Sequence, residues 1–392
     1  MGLFLFFCFV RVIFLPDMVF IVILAKNLDY PIMNDQHRYC VIMCGGIGSR
    51  FWPYSRTALP KQFIDFMGTG RSLLQMSYDR VLALVPKENV LVMTNAMYVD
   101  LVREQLPDIA PEQILAEPAR RNTAPCIAWA AWRIGAIDPQ ASMIVTPSDH
   151  LITGERLFVE NVRRGFDFVE QNEALLTLGI TPTRPETGYG YIQVGDEVAP
   201  GLNKVKTFTE KPDLELAKVF VDSGEFFWNA GIFMWSVSSI KNAFRLYAPE
   251  ISDKFDAASD VMNTPAEREF IEREFPACVS ISIDYAVMEK AGNVYVETVK
   301  FAWSDLGTWG SLYDNSPKNA ETNVTQNCNV LSYNSRGNIF AVRGEKLVVV
   351  DGLEGYIVAD AGDVLLVCPM SREQSIKQMV NDAKIHFGDK YL

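Results

Sequence analysis

Between residues 39 and 180 the chain alternates two hydrophobic periods, and this limits its fold more than any other feature. Almost wholly apolar runs at 39–43, 89–94, 142–147 and 174–180 have the length of buried strands. The stretches between them, 73–84, 96–105, 123–135 and 157–172, repeat apolar residues at helical spacing. Strands apolar on both faces need cover on both faces, and intervening helices supply it. The rhythm therefore predicts a Rossmann-like α/β fold, a mostly parallel mixed sheet flanked by helices. Ligands of such sheets lie outside the carboxyl ends of the strands. Chemistry is expected in the loops that follow the apolar runs.

The texture changes further along. Short strands are expected at 189–194 and 204–208, and the polar stretch NSPKNAETNVTQNCN at 315–329 reads as a linker or loop. Beyond it, brief β-rich runs spaced by turn residues predict a small C-terminal unit over 319–392, ending in a helix at 371–383. The catalytic part then spans 33–318. The first 32 residues are nearly all apolar, broken by Arg11, Pro16 and Asp17. They read as a membrane segment, as a signal sequence lacking its basic start, or as an extension upstream of a true start at Met33. The last reading suits a first buried strand soon after Met33 and is the one adopted here.

A formal net charge of −12 excludes a general nucleic-acid binder, which would show a basic face. It leaves room for an anionic small substrate, because local cations set the field in a cleft. The seven cysteines are scattered without a C-x-x-C pair, so neither a disulfide framework nor a zinc site is expected. A reducing, cytoplasmic setting fits.

Residues 41–63, VIMCGGIGSRFWPYSRTALPKQF, join the first apolar run to glycines and then to cations. Phe51 stands where the third glycine of a dinucleotide fingerprint would fall, and no Gly-Lys-Ser/Thr closes a P-loop. Gly45, Gly46 and Gly48 can still bring backbone N–H groups close to phosphate oxygens, with Arg50, Arg56 and Lys61 adding charge. TPSDH at 146–150 follows another apolar run, and Asp149 is placed to hold Mg²⁺. The three histidines of the chain form no cluster, so His150 reads as a supporting residue. FTEKP sets Glu210 beside Lys211, WNAGIF sets Asn229 among aromatics, and WSDLGTW supplies Asp305. Each motif alone also reads as a helix cap, a solvated turn or plain core.

Taken in order, GGIGSRFWPYSRTALPKQF, EPARRNTAPCIA, TPSDH, GYGYI, FTEKP, WNAGIF and WSDLGTW change that balance. The sequence resembles the mannose-1-phosphate guanylyltransferases of the sugar-nucleotidyltransferase superfamily, from about residue 38 to 313, and its tail is similar to that of the short-form members. The resemblance implies a nucleotide-diphospho-sugar transferase fold with a β-helix-like C-terminal domain. It implies transfer of GMP from GTP to α-D-mannose 1-phosphate, giving GDP-mannose and pyrophosphate. A sugar phosphate is largely dianionic near neutrality, so it needs no general base. By the same resemblance Gly45, Gly46 and Gly48 contact the nucleotide, and Arg50 and Lys61 face the triphosphate. Asp149 and Asp305 hold Mg²⁺, and Asp149 also lies near the ribose. Glu117, Asn122 and Thr123 read guanine, while Gly188, Glu210, Lys211 and Asn229 line the sugar-phosphate side; Arg50, Lys61, Asp149 and Lys211 are the catalytic set. A homodimer through the C-terminal domain is implied. Larger relatives carry a metal-binding isomerase domain rich in His and Glu, and no such cluster is seen here, so no isomerase activity is expected. Another sugar phosphate or nucleotide, or a silent GDP-mannose-sensing subunit, stand as alternatives.

Overall fold

The computed structural model of the protein describes residues 13–15, 18–20, 35–344 and 346–392. The chain divides into a unit over residues 1–35 and a unit over 36–392. In the first, strands β1 (Ile13–Leu15) and β2 (Met18–Phe20) pair antiparallel. The rest of the apolar extension lies outside the described residues, and with it the expectation about Met33. No helix among the described residues is long and apolar enough to cross a membrane.

The second unit is built on a sheet that has nine strands among the described residues. Its first half follows the expected rhythm. Strands β3 (Arg38–Cys44), β4 (Val90–Asn95), β5 (Ile114–Glu117) and β6 (Ser142–Pro147) are parallel and lie in the order β5-β4-β3-β6. Connections therefore diverge between β3 and β6, and a crevice opens at their carboxyl ends. Both the glycine stretch and TPSDH leave the sheet there.

The second half departs from a parallel pattern. After the short β7 (Leu151–Thr153) come β8 (Leu175–Ile180), β9 (Gly190–Ala199), β10 (Leu202–Glu210), β11 (Phe226–Ser236), β12 (Val294–Val299) and the short β13 (Ala302–Ser304). Strand β11 runs antiparallel to β6, β8 and β9, while β8 and β12 are parallel. The cause is local: β9 and β10 are joined by a turn at Gly201 too short for a helical crossover, so they pair antiparallel. The register of β11 against β8 jumps between Asn229 and Phe233, which interrupts the pairing beside Gly231 at φ +67°.

Helices Thr123–Ile137, Val237–Tyr247 and Pro249–Asp256 cover one face, around a core that holds Trp132, Trp235, Phe244 and Phe255. Glu155–Gln171 packs its apolar stripe, Phe158, Val162 and Phe166, against the sheet.

The C-terminal strands are β14 (Val324–Gln326), β15 (Asn329–Tyr333), β16 (Ile339–Val342), β17 (Leu347–Asp351), β18 (Tyr356–Asp360) and β19 (Leu365–Pro369). Strands β14-β16-β18 stack in parallel and β19 closes that sheet antiparallel; β15 and β17 form a second parallel pair. Part of the supposed linker is core. Asn323 is buried, and its carboxamide binds the Ser335 carbonyl and the Asn338 backbone and side chain. A second apolar core joins this region to the glycine stretch: Phe51, Tyr54, Phe66, Trp309, Ile339, Ile357 and Ile376 pack together.

Candidate active site

The glycine stretch is shaped by contacts that sequence spacing cannot specify. Gly46 and Gly48 take φ of +88° and +71°, which only glycine adopts cheaply. Gln62 Nε2 donates to the carbonyls of Cys44 and Gly46, and the Lys61 N–H donates to the Ile47 carbonyl at 3.1 Å. The stretch thus folds back so that Lys61 lies under the glycines. A Cβ at Gly48 would stand 2.5 Å from that of Lys61.

Lys61 is 3% exposed. Its ammonium donates to Asp149 Oδ2 at 3.0 Å and to the Asp305 carbonyl at 2.5 Å, bridging loops from opposite ends of the catalytic region. Burial opposes the Asp149 charge, but the Lys61 and His150 charges and the Lys61 hydrogen bond outweigh it, and its pKa falls below the usual value. Asp305 Oδ1 accepts from the Tyr189 hydroxyl at 2.6 Å and from the Gly307 N–H at 2.9 Å. A Cβ at Gly307 would collide with that carboxylate. His150 Nδ1 faces the Trp303 indole N–H at 3.3 Å, and burial, aided by Lys61, lowers the pKa of its imidazole. Its Nε2 stands 3.9 Å from Asp149 Oδ1.

Two cavities meet at these acids. The larger, about 490 Å³, is lined by Gly45, Gly46, Glu117, Asn122 and Thr123 together with Gly188, Glu210 and Asn229. The smaller, about 270 Å³, is lined by Gly48, Arg50, Lys61, Gly307 and Lys377. Asp149, His150 and Asp305 belong to both walls. Arg50 has a buried Nε without a hydrogen-bond partner, an unmet donor at a site lined by cations. Arg56 departs from expectation. It is turned to the C-terminal region, where Asp363 accepts from its guanidinium at 2.8 and 2.5 Å.

At the larger cavity, burial pushes the Glu117 carboxyl up to about 7, against the pull of Cys126 and Arg120. Asn122, at φ +64°, caps the helix Thr123–Ile137 through its own side chain, and Thr123 Oγ1 accepts from the Ile283 N–H at 2.9 Å. Asn229 Oδ1 accepts from Thr177 and from the Gly231 N–H, each at 3.1 Å, while Nδ2 donates to Asp284 at 2.9 Å. Glu210 is ion-paired with Lys211, whose ammonium is exposed and whose φ is +50°. A Cβ at Gly190 would stand 2.5 Å from the Glu210 carboxylate. Asp284 escaped sequence reasoning. Burial, and then the Glu210 charge, push its carboxyl up to about 6. It sits alone in an apolar run, and only the fold brings it to Asn229. Tyr189 and Trp303 lie inside the quoted motifs GYGYI and WSDLGTW but were given no role, and Lys377 in the last helix carried no local signal.

Two carboxylates from distant loops, facing space lined by cations, suit a hard divalent cation that completes its shell with phosphate oxygens and water. Asp149 Oδ2 and Asp305 Oδ1 are engaged by Lys61 and Tyr189, which orient both groups. Among the described residues no cluster of three or more His, Cys, Asp or Glu could hold a metal ion. The two carboxylates are the oxygen donors that a hard cation such as Mg²⁺ prefers.

The chain is similar to several known proteins. A family model described as nucleotidyl transferase matches residues 39–322. The mannose-1-phosphate guanylyltransferase of Salmonella muenchen is 36% identical over 379 residues, covering 90% of this chain and 79% of that protein. The crystal structure of a mannose-1-phosphate geranyltransferase from Thermus thermophilus superposes with a TM-score of 0.80 at 27% identity, over 89% of this chain and 100% of that one. A mannose-6-phosphate isomerase structure from Helicobacter pylori superposes with a TM-score of 0.55 at 25% identity, over 68% of this chain and 99% of that one.

Proposed function

The chain belongs to the nucleotidyl transferase family, among the mannose-1-phosphate guanylyltransferases, and from that premise we propose how its two cavities divide the reaction. It is a GDP-mannose-forming nucleotidyltransferase. GTP lies along the glycine stretch, with guanine toward Glu117, Asn122 and Thr123 and the β- and γ-phosphates in the smaller cavity. Mannose 1-phosphate enters between Gly188, Glu210 and Asn229, with Lys211 at the rim. A phosphate oxygen of the sugar phosphate attacks the α-phosphorus in line. The bond from that phosphorus to the α,β-bridging oxygen breaks, and pyrophosphate leaves with the electron pair. Arg50 and Lys61 meet the charge that develops on it, fixed in place before the reaction begins. Mg²⁺ held by Asp149 and Asp305 would neutralise phosphate charge between the two cavities. The observation that carries this reading is the shared wall of Asp149, His150 and Asp305.

The test is pyrophosphate release measured with each of four NTPs against mannose 1-phosphate and other sugar 1-phosphates. GTP with mannose 1-phosphate should dominate. Equal use of another pair would overturn the assignment, and no release with any pair would favour a silent sensing subunit. Removal of divalent cations with a chelator should abolish turnover, and added Mg²⁺ should restore it. Fructose 6-phosphate and mannose 6-phosphate should remain unconverted in a coupled isomerase assay.

A catalytic region over 33–318 with a small β-rich region over 319–392 packed against it belongs to the same proposal, with the stacked parallel pairs β14-β16-β18 and β15-β17 as successive turns of a β-helix-like coil. Leu331 and Tyr333 on β15 share an exposed face with Leu347 and Val349 on β17, which supports a homodimer through this region. Leu331→Asp with Val349→Asp should shift the molecular mass in light scattering from dimer to monomer. Cytoplasmic placement rests on the described cysteines, which are all free thiols.

A further inference from the structure

The smaller cavity draws one of its cations from an unexpected source. Lys377 lies in the first turn of the C-terminal helix Ile376–Phe387, far along the chain from the glycine stretch, yet it lines the same wall as Arg50 and Lys61. A lysine in the first helical turn opposes the helix dipole, so local helix stability does not account for it. It has no described hydrogen-bond or ion-pair partner, unlike Lys61, which is held by Asp149 and Asp305.

The helix that carries Lys377 is held firmly. Ile376 beside it is fully buried in the core shared with Phe51 and Trp309. One turn before, Glu373 accepts from the Gly310 N–H at 2.6 Å, and further on the Trp52 indole N–H donates to the Tyr391 carbonyl at 2.8 Å. These contacts bind the helix to both loops that build the cavity, 49–52 and 305–310. The backbone of Lys377 is therefore fixed while its ammonium is left unpaired among the described residues. The arrangement holds three cations, Arg50, Lys61 and Lys377, against two carboxylates, and the Arg50 Nε adds an unmet buried donor.

We propose that Lys377 contacts the β- and γ-phosphates of the nucleotide and then the departing pyrophosphate, as a third cation supplied by the C-terminal region. This rests on the reading that the smaller cavity receives those phosphates. Through Lys377 the C-terminal region completes the leaving-group site.

The reverse reaction, pyrophosphate attack on GDP-mannose, isolates this contact, because pyrophosphate alone would occupy the smaller cavity. Lys377→Met should raise KM for pyrophosphate on the order of tenfold, the scale of one lost charge-assisted hydrogen bond. KM for GDP-mannose should stay within about twofold, Lys377→Arg should restore most of the loss, and the thermal midpoint of Lys377→Met should match the parent protein. Such a split is not expected from a merely structural lysine. A pyrophosphate KM in Lys377→Met within about twofold of the parent, or a parallel rise for both substrates, would overturn the proposal. Lys61→Ala serves as the reference. If it too leaves the pyrophosphate KM unchanged, the assignment of the cavity itself fails, and the two failures are told apart.

Discussion

At the scale of single residues, Lys61 joins the glycine stretch to both acids. Removing its ammonium leaves Asp149 without its cation and, on the proposed function, the developing pyrophosphate without one of its donors. Lys61→Ala, and separately Asp149→Asn, should each lower kcat on the order of 100-fold or more, the scale of one lost transition-state contact. Gly48→Ala should act through the same lysine. Its Cβ would have to occupy space 2.5 Å from the Lys61 Cβ, at φ +71°, so turnover should fall toward that of Lys61→Ala while the fold survives. Steady-state kinetics beside circular dichroism check both.

Glu117 offers a pH test with a definite sign. Burial raises its pKa to about 7, so it is mostly protonated at pH 6 and mostly ionised at pH 8. If its carboxylate accepts the guanine N–H donors, guanosine should bind more tightly as pH rises through 7. Guanosine carries no phosphate, so titration of the ligand's phosphates does not enter the readout. Its inhibition constant should fall between pH 6 and 8 in the parent protein and stay level in Glu117→Gln. The letters EPARRNTAP located this residue only through resemblance. Its raised pKa comes from burial at the end of β5, which the residue types alone do not specify.

At the scale of elements, the legible part and the illegible part of the sequence divide on physical grounds. The run at 142–147 predicted β6 with its bounds, and 123–135 predicted most of the helix Thr123–Ile137, because apolar period depends on local order alone. The antiparallel insertion of β11 between β6 and β8 was not legible. Strand order depends on which partners a strand meets, and FFWNAGIFMW satisfies a core strand in either direction. Partners of buried charges are hidden in the same way. Glu267 begins a short helix and reads as a surface acid, yet it is buried, accepting from the Trp129 indole and the Arg133 guanidinium, each at 2.5 Å. It also accepts from the Asn263 N–H at 2.7 Å. Glu267→Ala leaves the indole N–H of Trp129 without its acceptor and Arg133 with only the Glu112 carbonyl, and should lower unfolding free energy by about 3 kcal/mol. Urea titration followed by tryptophan fluorescence measures it. Turnover of the folded fraction should be little changed, because Glu267 lines neither cavity.

At the scale of the whole molecule, the question is whether the C-terminal strands are a module attached to a finished enzyme. The polar stretch at 315–329 favoured that view in the sequence, since linkers are polar and turn-rich. The packing argues otherwise. Trp309 is fully buried, lying 5.3 Å from Phe51 and 5.7 Å from Tyr54 between ring centroids, in the same core as Ile339, Ile357 and Ile376. Phe51 directly follows Arg50, so the aromatic core that seats the C-terminal strands also seats an arginine that lines the smaller cavity. Trp309→Ala should therefore lower stability by about 3–5 kcal/mol, the usual range for a buried aromatic. An independent module would respond by losing its own structure in a separate step, with guanylyl transfer continuing. A shared core would give one unfolding transition, shifted to lower urea, with turnover lost in step. We expect the single transition, because the core that holds Phe51 and the helix of Lys377 in place is packed around Trp309 and its neighbours.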